Sequence, residues 1–489
     1  MRKIFITKIF ISAVLLLSVS SCEKFLDVKP KGKDILENID HYNGLLNNIM
    51  LLNLQNFRTL ESGGTLILGA ASAPLIMSDD VFTTPQYFGT RLPYEINAYK
   101  WSDRIYEENE DPNEWGAMYV PIYVYNLAIN GVMNCTGATD QRKKEVQAEA
   151  RINRAFNYLF LINQFAKPYN SVTAAQDPGV PLVTKADITA KDFTRASVKE
   201  IYDFIVKEIE ESIPDLPVQA KVRVRLGRSA AWFILGRTYF YMGDYAKAIT
   251  ALNNSETAVA SLPFKVELYD YNTLMNSAPP AGWYNPAQPN RGASGHPTMF
   301  DSYEVIYLRQ LSIVMNYFYS NIFVKDAVMN KFGASDLRRR LFSNKDYMMG
   351  STTLPGYQRC SPGGVNWGAS LPDLYLMRAE CKARTNDLTG AKADVETLRK
   401  KRMSEADAIV SVTTKDSMIR FILEERIREF AGTGLRWFDM RRLSLESQYN
   451  NIDNTRTYGT ETFTLQNKRL TMKIPAKILL LNPDMADNE

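Results

Sequence analysis

The chain has 489 residues, of which 45% are hydrophobic and 23% charged, the balance of a globular protein with a substantial core. Its formal charge of +4 falls to +1 once the first 21 residues, with Arg2, Lys3, Lys8 and no acid, are set aside. The densest basic runs, Arg338-Arg339-Arg340 and Arg399-Lys400-Lys401-Arg402, read as solvated helix faces, and near-neutrality argues against nucleic acid as a partner.

The chain opens on a secretory signal. Arg2, Lys3 and Lys8 precede an apolar run over 9–19, which ends in Val19-Ser20-Ser21-Cys22. Small residues directly before a cysteine describe a bacterial lipoprotein signal over 1–21, with Cys22 acylated and first in the mature chain. The run is too short to span a bilayer, which takes about 20 residues, so the expected attachment is by lipid. Residues 22–40 are expected to form a tether, with Pro30 and Gly32 opposing helix. Residues 41–489 are expected to form one globular unit, with an N-terminal section to about 226 and a C-terminal section from about 227.

Two long polar stretches, 62–113 and 277–296, are rich in Gly, Pro and Asn, and loops of that length in a compact protein are usually functional. A weak helix pair begins near Glu145, with Ala155 and Tyr158 facing inward. Over 197–213 the 3.6-residue period places Val198, Ile201, Tyr202, Ile205 and Ile209 on one face. The strongest internal signal follows. Trp232, Leu235, Gly236 and Tyr239 fit the W-x2-L-G-x2-Y pattern of a tetratricopeptide hairpin, Gly243-Asp244 supplies the turn, and Ala248 and Leu252 the second helix. A second copy lies 143 residues on, with Tyr375, Ala379, Asn386-Asp387, Ala391 and Val395 in the matching slots. A last amphipathic helix over 416–430 is stopped by Gly432 and Gly434.

Chemistry-bearing residues are scarce. His41 and His296 are the two histidines, far apart, and Cys135, Cys360 and Cys381 have no metal-ligand spacing, so no metal, cofactor or nucleophilic relay is expected. At most one pair of these three cysteines could bridge. Glu425, Arg428, Glu429, Arg436, Asp439 and Arg441 look like a catalytic cluster, but their spacing equally describes ion pairs that fix a helix end.

Several segments together resemble the SusD/RagB family of nutrient-binding lipoproteins of Bacteroidetes. They are Glu23-Lys24-Phe25-Leu26-Asp27 after the acylated cysteine, Asp177-Pro178-Gly179-Val180-Pro181, Arg195-Ala196-Ser197, the two hairpins, Glu424-Glu425-Arg426 through Leu435-Arg436-Trp437-Phe438-Asp439, and Ile474-Pro475. Thr433 departs from the signature, which often has Glu there. The resemblance implies a mostly helical fold with tetratricopeptide-like hairpins as scaffold, long loops and a few short strands. It also implies a lipid-anchored place on the outer membrane, exposed at the cell surface, and a SusC-like TonB-dependent transporter as partner.

In that family an exposed arc of loops takes the ligand. The matching candidates here are Asp79, Asp80, Tyr87, Phe88, Arg91, Tyr94, Tyr99 and Trp101 in the first long stretch, and Trp283, Tyr284 and Asn285 in the second. Flat aromatic faces and placed polar groups suit an oligosaccharide. Trp283 is expected to be a loop-tip aromatic supporting little core. The same architecture binding peptide or another nutrient stays open, as does a glycoside hydrolase using Asp80 with Asp111 or Glu114.

Overall fold

The computed structural model describes residues 36–59, 65–312, 321–361 and 364–489. The signal, Cys22 and most of the tether lie outside them. Long helices supply the frame: α1 (Asn113–Gly131), α2 (Asp140–Phe165), α3 (Val198–Ser212), α4 (Arg228–Met242), α5 (Tyr245–Val259), α6 (Leu371–Arg384), α7 (Leu388–Arg399), α8 (Lys415–Glu429) and α9 (Leu435–Leu443). Among the described residues no helix is long and apolar enough to cross a membrane.

Both hairpins form where their spacing places them. Helices α4 and α5 approach so closely at Gly236 that a Cβ there would sit 2.8 Å from Leu252 Cγ. Gly243 ends α4 at φ 77°, and Asp244 caps α5 by accepting from the Lys247 N–H. In the second hairpin Asn386 takes φ 70° and Asp387 caps α7. The helix read over 197–213 is α3. Ser197 and Glu200 close a capping box at its start, and all five expected inward residues are buried. The weak pair is organised differently: Glu145 lies inside the 26-residue α2, which packs against both α1 and α3. In the core, Phe160, Trp367 and Phe438 meet with centroids 5.3–5.6 Å apart.

The two basic runs are solvated only in part, with Arg339 and Lys400 exposed. Arg338 is 1% exposed and binds Asp336, Glu425 and Glu429, while Arg402 is fully buried against Glu304 and Glu429. Their acids come mostly from α8, about 30 to 90 residues away in sequence, which local reading could not supply. The same helix end carries the signature. Glu425 also pairs with Arg399 and Arg428, and Asp439 with Arg426 and Arg442. Glu425, Glu429 and Asp439 are buried against these arginines and Arg436 against Asp79, whereas Arg441 is buried without an acid and donates to Ala166 O. Thr433 bonds Phe430 O through its hydroxyl, and its own carbonyl accepts the Trp367 indole N–H.

Strands are short. One four-stranded antiparallel sheet has the order Val81–Phe82, Phe323–Val324, Thr353–Arg359, Phe342–Lys345. The first long stretch is therefore not an open loop. It folds into the helices Ala73–Met77, Pro85–Phe88 and Pro93–Tyr99 and contributes an edge strand.

Candidate functional site

An aromatic surface forms where the Pro85–Phe88 helix meets the hairpin Thr455–Tyr458/Glu461–Thr464. The hairpin reads T-R-T-Y-G-T-E-T-F-T, and Gly459 in its turn has φ 65°, with Pro85 Cγ 3.4 Å from where a Cβ would stand. On one side Tyr87 packs edge-on against Phe323 at 5.1 Å, and Phe323 in turn touches Phe82 at 5.7 Å. On the hairpin, Tyr458 and Phe463 lie under the Lys100 ammonium at 5.1 and 5.3 Å, and Lys100 also approaches Glu461 at 3.4 Å. Phe82, Tyr87, Tyr458 and Phe463 are all half-buried, with Gln86, Thr457 and Glu461 exposed among them. Flat rings with donors and acceptors at their margins are what a sugar face and its hydroxyls require.

A buried layer holds this surface. Arg456, on the hairpin, points inward with its guanidinium 3.6 Å from the Trp101 ring and 4.6 Å from that of Tyr99. It donates to the carbonyls of Ile76, Met77, Ser78 and Tyr99. Burial without an acid partner pulls Arg456 down to about 10, which leaves it charged at neutral pH. The Tyr99 hydroxyl bridges Thr83 and Thr457 O. Asp79 accepts two bonds from Arg436 and one from the Asp453 N–H.

The sequence candidates accordingly separate into two layers and two places. Asp80 is 3% exposed, accepts from Gly432 N–H and Ser78, and has its pKa raised by burial. Trp101 is 4% exposed and donates its indole N–H to Met77 O. Both are framework beneath the surface, because their polar groups are already bonded inside. Tyr94 and Phe88 are buried too. Tyr87 stands at the surface. Arg91 is part-buried and held by Glu95 at 2.6 Å. Of the carboxyls read as a hydrolase pair with Asp80, Glu114 is fully buried, accepting from Ala73 N–H and Tyr106, and Asp111 is exposed and paired with Lys477 at 2.5 Å.

The second group lies elsewhere. Trp283 is 6% exposed in a ring cluster with Tyr269 at 4.6 Å, Tyr271 at 5.7 Å and His296 at 4.4 Å. It is not a loop-tip aromatic, since residues 269–271 and 296 fold back to enclose it. Tyr284 is half-buried beneath the Arg340 guanidinium at 5.0 Å, and Asn285 accepts from Ala287 N–H in a local turn. Arg340 leads into the Phe342–Lys345 strand, at the opposite edge of the sheet from Val81–Phe82, so the two groups do not converge. Sequence reading missed Tyr458 and Phe463, although alternation around a Tyr-Gly turn marks a hairpin. Cys135, Cys360 and Cys381 are all free thiols. Among the described residues no group of His, Cys, Asp or Glu is arranged to hold a metal.

Family profiles match most of the chain. A SusD-like family described as starch-binding and associating with the outer membrane matches residues 24–240, and the SusD family matches 371–488. The chain belongs to the SusD family. Among solved structures, SusD superfamily proteins of Bacteroides thetaiotaomicron and Bacteroides fragilis align over 92% of this chain and all of theirs, with TM-score 0.69 at 17% and 20% identity. Surface glycan-binding protein A of Bacteroides uniformis aligns over 92% of this chain and 99% of its own, with TM-score 0.68 at 16% identity. At such identities these likenesses define the fold. No match to a curated protein was found.

Proposed function

We propose that this protein is a surface-exposed, lipid-anchored lipoprotein that captures oligosaccharide on the Tyr87–Tyr458–Phe463 surface and passes it to a TonB-dependent transporter. The observation that carries the reading is that surface itself: four half-exposed rings with an ammonium and polar margins, on a rigid buried layer. Membership of a family described as starch-binding and outer-membrane-associated supports the ligand class and the location. Affinity falls little to ordering costs when the platform is already fixed. Binding here needs no chemistry, in keeping with the internal engagement of Asp80 and Glu114.

The lid role rests on the anchor expected at Cys22. Eleven residues from Glu23 to Lys33 reach about 35 Å when extended, which keeps the domain at high local concentration over a neighbouring barrel. Mild detergent extraction of a tagged form should recover a large β-barrel protein in comparable amount. Recovery of the tagged protein alone, with glycan uptake unaffected by its deletion, would refute delivery. For capture, affinity gels containing neutral polysaccharides should retard the wild type and not a Tyr87→Ala, Tyr458→Ala double variant. Equal retardation of both would remove this surface from the reading.

A further inference from the structure

A concavity of about 1010 Å³, which shares no lining residue with the Tyr87 surface, lies between α5, the start of α6 and the connection over 260–303. Its aromatic wall is a relay of rings running from solvent into the core. Tyr303, 38% exposed, stacks on Tyr269 with centroids 5.5 Å apart and planes at 23°. Tyr269 packs edge-on against Trp283, which reaches Tyr271. Tyr303 is also fixed through its backbone: its N–H donates to the Tyr269 hydroxyl at 2.8 Å, and its carbonyl accepts from Glu267 N–H at 3.0 Å. The Lys265 ammonium also lies 5.0 Å from the Tyr303 ring centroid, so a ligand stacking there would share the ring with a half-exposed lysine.

The rim is polar but electrically balanced. Lys265 pairs with Glu267, Lys401 with Asp270 at 3.0 Å, and Glu256 with Arg378. Arg223 adds a half-buried cation that donates to Lys265 O and lies 4.5 Å from the Phe264 ring centroid, and Asp301 an acid bonded to Thr298. Paired charges give no net field to draw an ion, yet offer donors and acceptors along both walls. The volume is at the upper end of ordinary ligand clefts, about 300–1,000 Å³. Flat rings, a guanidinium at the rim and charge balance together fit a neutral sugar better than an anion or an apolar molecule.

We infer that this cleft is a second site for a neutral oligosaccharide, with Tyr303 as stacking platform, Trp283 and Tyr269 as its backing and Arg223 as a hydroxyl ligand. The inference rests on the glycan-binding reading only for the class of ligand. Two sites on one rigid body would hold a long polysaccharide at two points, which raises avidity without new contacts.

The test uses maltohexaose, xylohexaose, cellohexaose and mannohexaose as probes, with hydrogen exchange and calorimetry on the wild type, Tyr303→Ala and Thr273→Trp. Thr273 is an exposed lining residue, so tryptophan there fills the cleft without removing a packed side chain. For a probe that binds, exchange should slow over 265–275 and 297–303 as well as at the first surface, and two molecules should bind. Both variants should lower affinity at one of the two sites by about tenfold or more, the scale of a lost stacking contact. Protection confined to 82–100 and 455–464, with one molecule bound and both variants at wild-type affinity, would overturn the second site alone. Absence of binding by all four probes would overturn the second site and the glycan reading together.

Discussion

Replacing Trp101 separates a framework role from a ligand contact. The indole is 4% exposed, donates to Met77 O at 2.8 Å and covers the Arg456 guanidinium at 3.6 Å. Truncation to alanine removes a buried aromatic whose neighbours relax only partly, a change costing about 3–5 kcal/mol. Little should be added for orphaned groups, because Met77 O keeps its bond from Arg456 and Arg456 keeps its carbonyls. Trp101 also sits at φ 52°, where a Cβ is strained and glycine is not. Trp101→Gly should therefore be no less stable than Trp101→Ala despite its greater unfolded-state freedom. Urea unfolding followed by circular dichroism gives the free energies, and hydrogen exchange over 455–464 shows whether the hairpin loosens. A loss below about 1 kcal/mol would refute the clamp, given the scale expected for a buried ring. Loss of glycan affinity at unchanged stability would put Trp101 in the ligand site instead.

Four other outcomes follow from the same geometry. Trp283→Ala should also lose about 3–5 kcal/mol, as a core ring rather than a loop tip; an unchanged unfolding midpoint would contradict the ring relay. Neighbouring Arg426 and Arg442 hold buried Asp439 down to about 2 against burial, from an ordinary 3.8. A folded-state pKa depressed in this way stabilises above the unfolded value, so roughly 2–3 kcal/mol should disappear as pH falls from about 4 through 2. Asp439→Asn should be less stable at pH 7 and show a shallower acid limb, and an identical limb would refute the assignment. Cys22→Ala should leave the membrane fraction, checked by fractionation and mass of the mature N-terminus; retention in the membrane would contradict acylation.

Much of the scaffold was legible because its signals are local. Gly236, Gly243 and Asp387 act through close approach, left-handed backbone and capping, and each is visible within a few residues. The site was less legible, since exposure is a tertiary property. The Gly, Pro and Asn around Trp283 and Trp101 look like open loop, yet Tyr269, Tyr271 and Arg456, up to 355 residues away, return to bury them. The basic runs misled for the same reason: Arg338 and Arg402 find their acids on α8. Tyr458 and Phe463 were overlooked, although their alternation was present to be read.

The central claim, glycan capture without cleavage, is tested most directly by calorimetry of the mature protein with neutral oligosaccharides, followed by chromatography of the recovered ligand. The account predicts saturable binding that Tyr87→Ala weakens by about 1–3 kcal/mol, the scale of one aromatic stacking contact, and a ligand recovered intact. Wild-type affinity in Tyr87→Ala, no binding by any neutral glycan, or new reducing ends in the recovered sugar would contradict it.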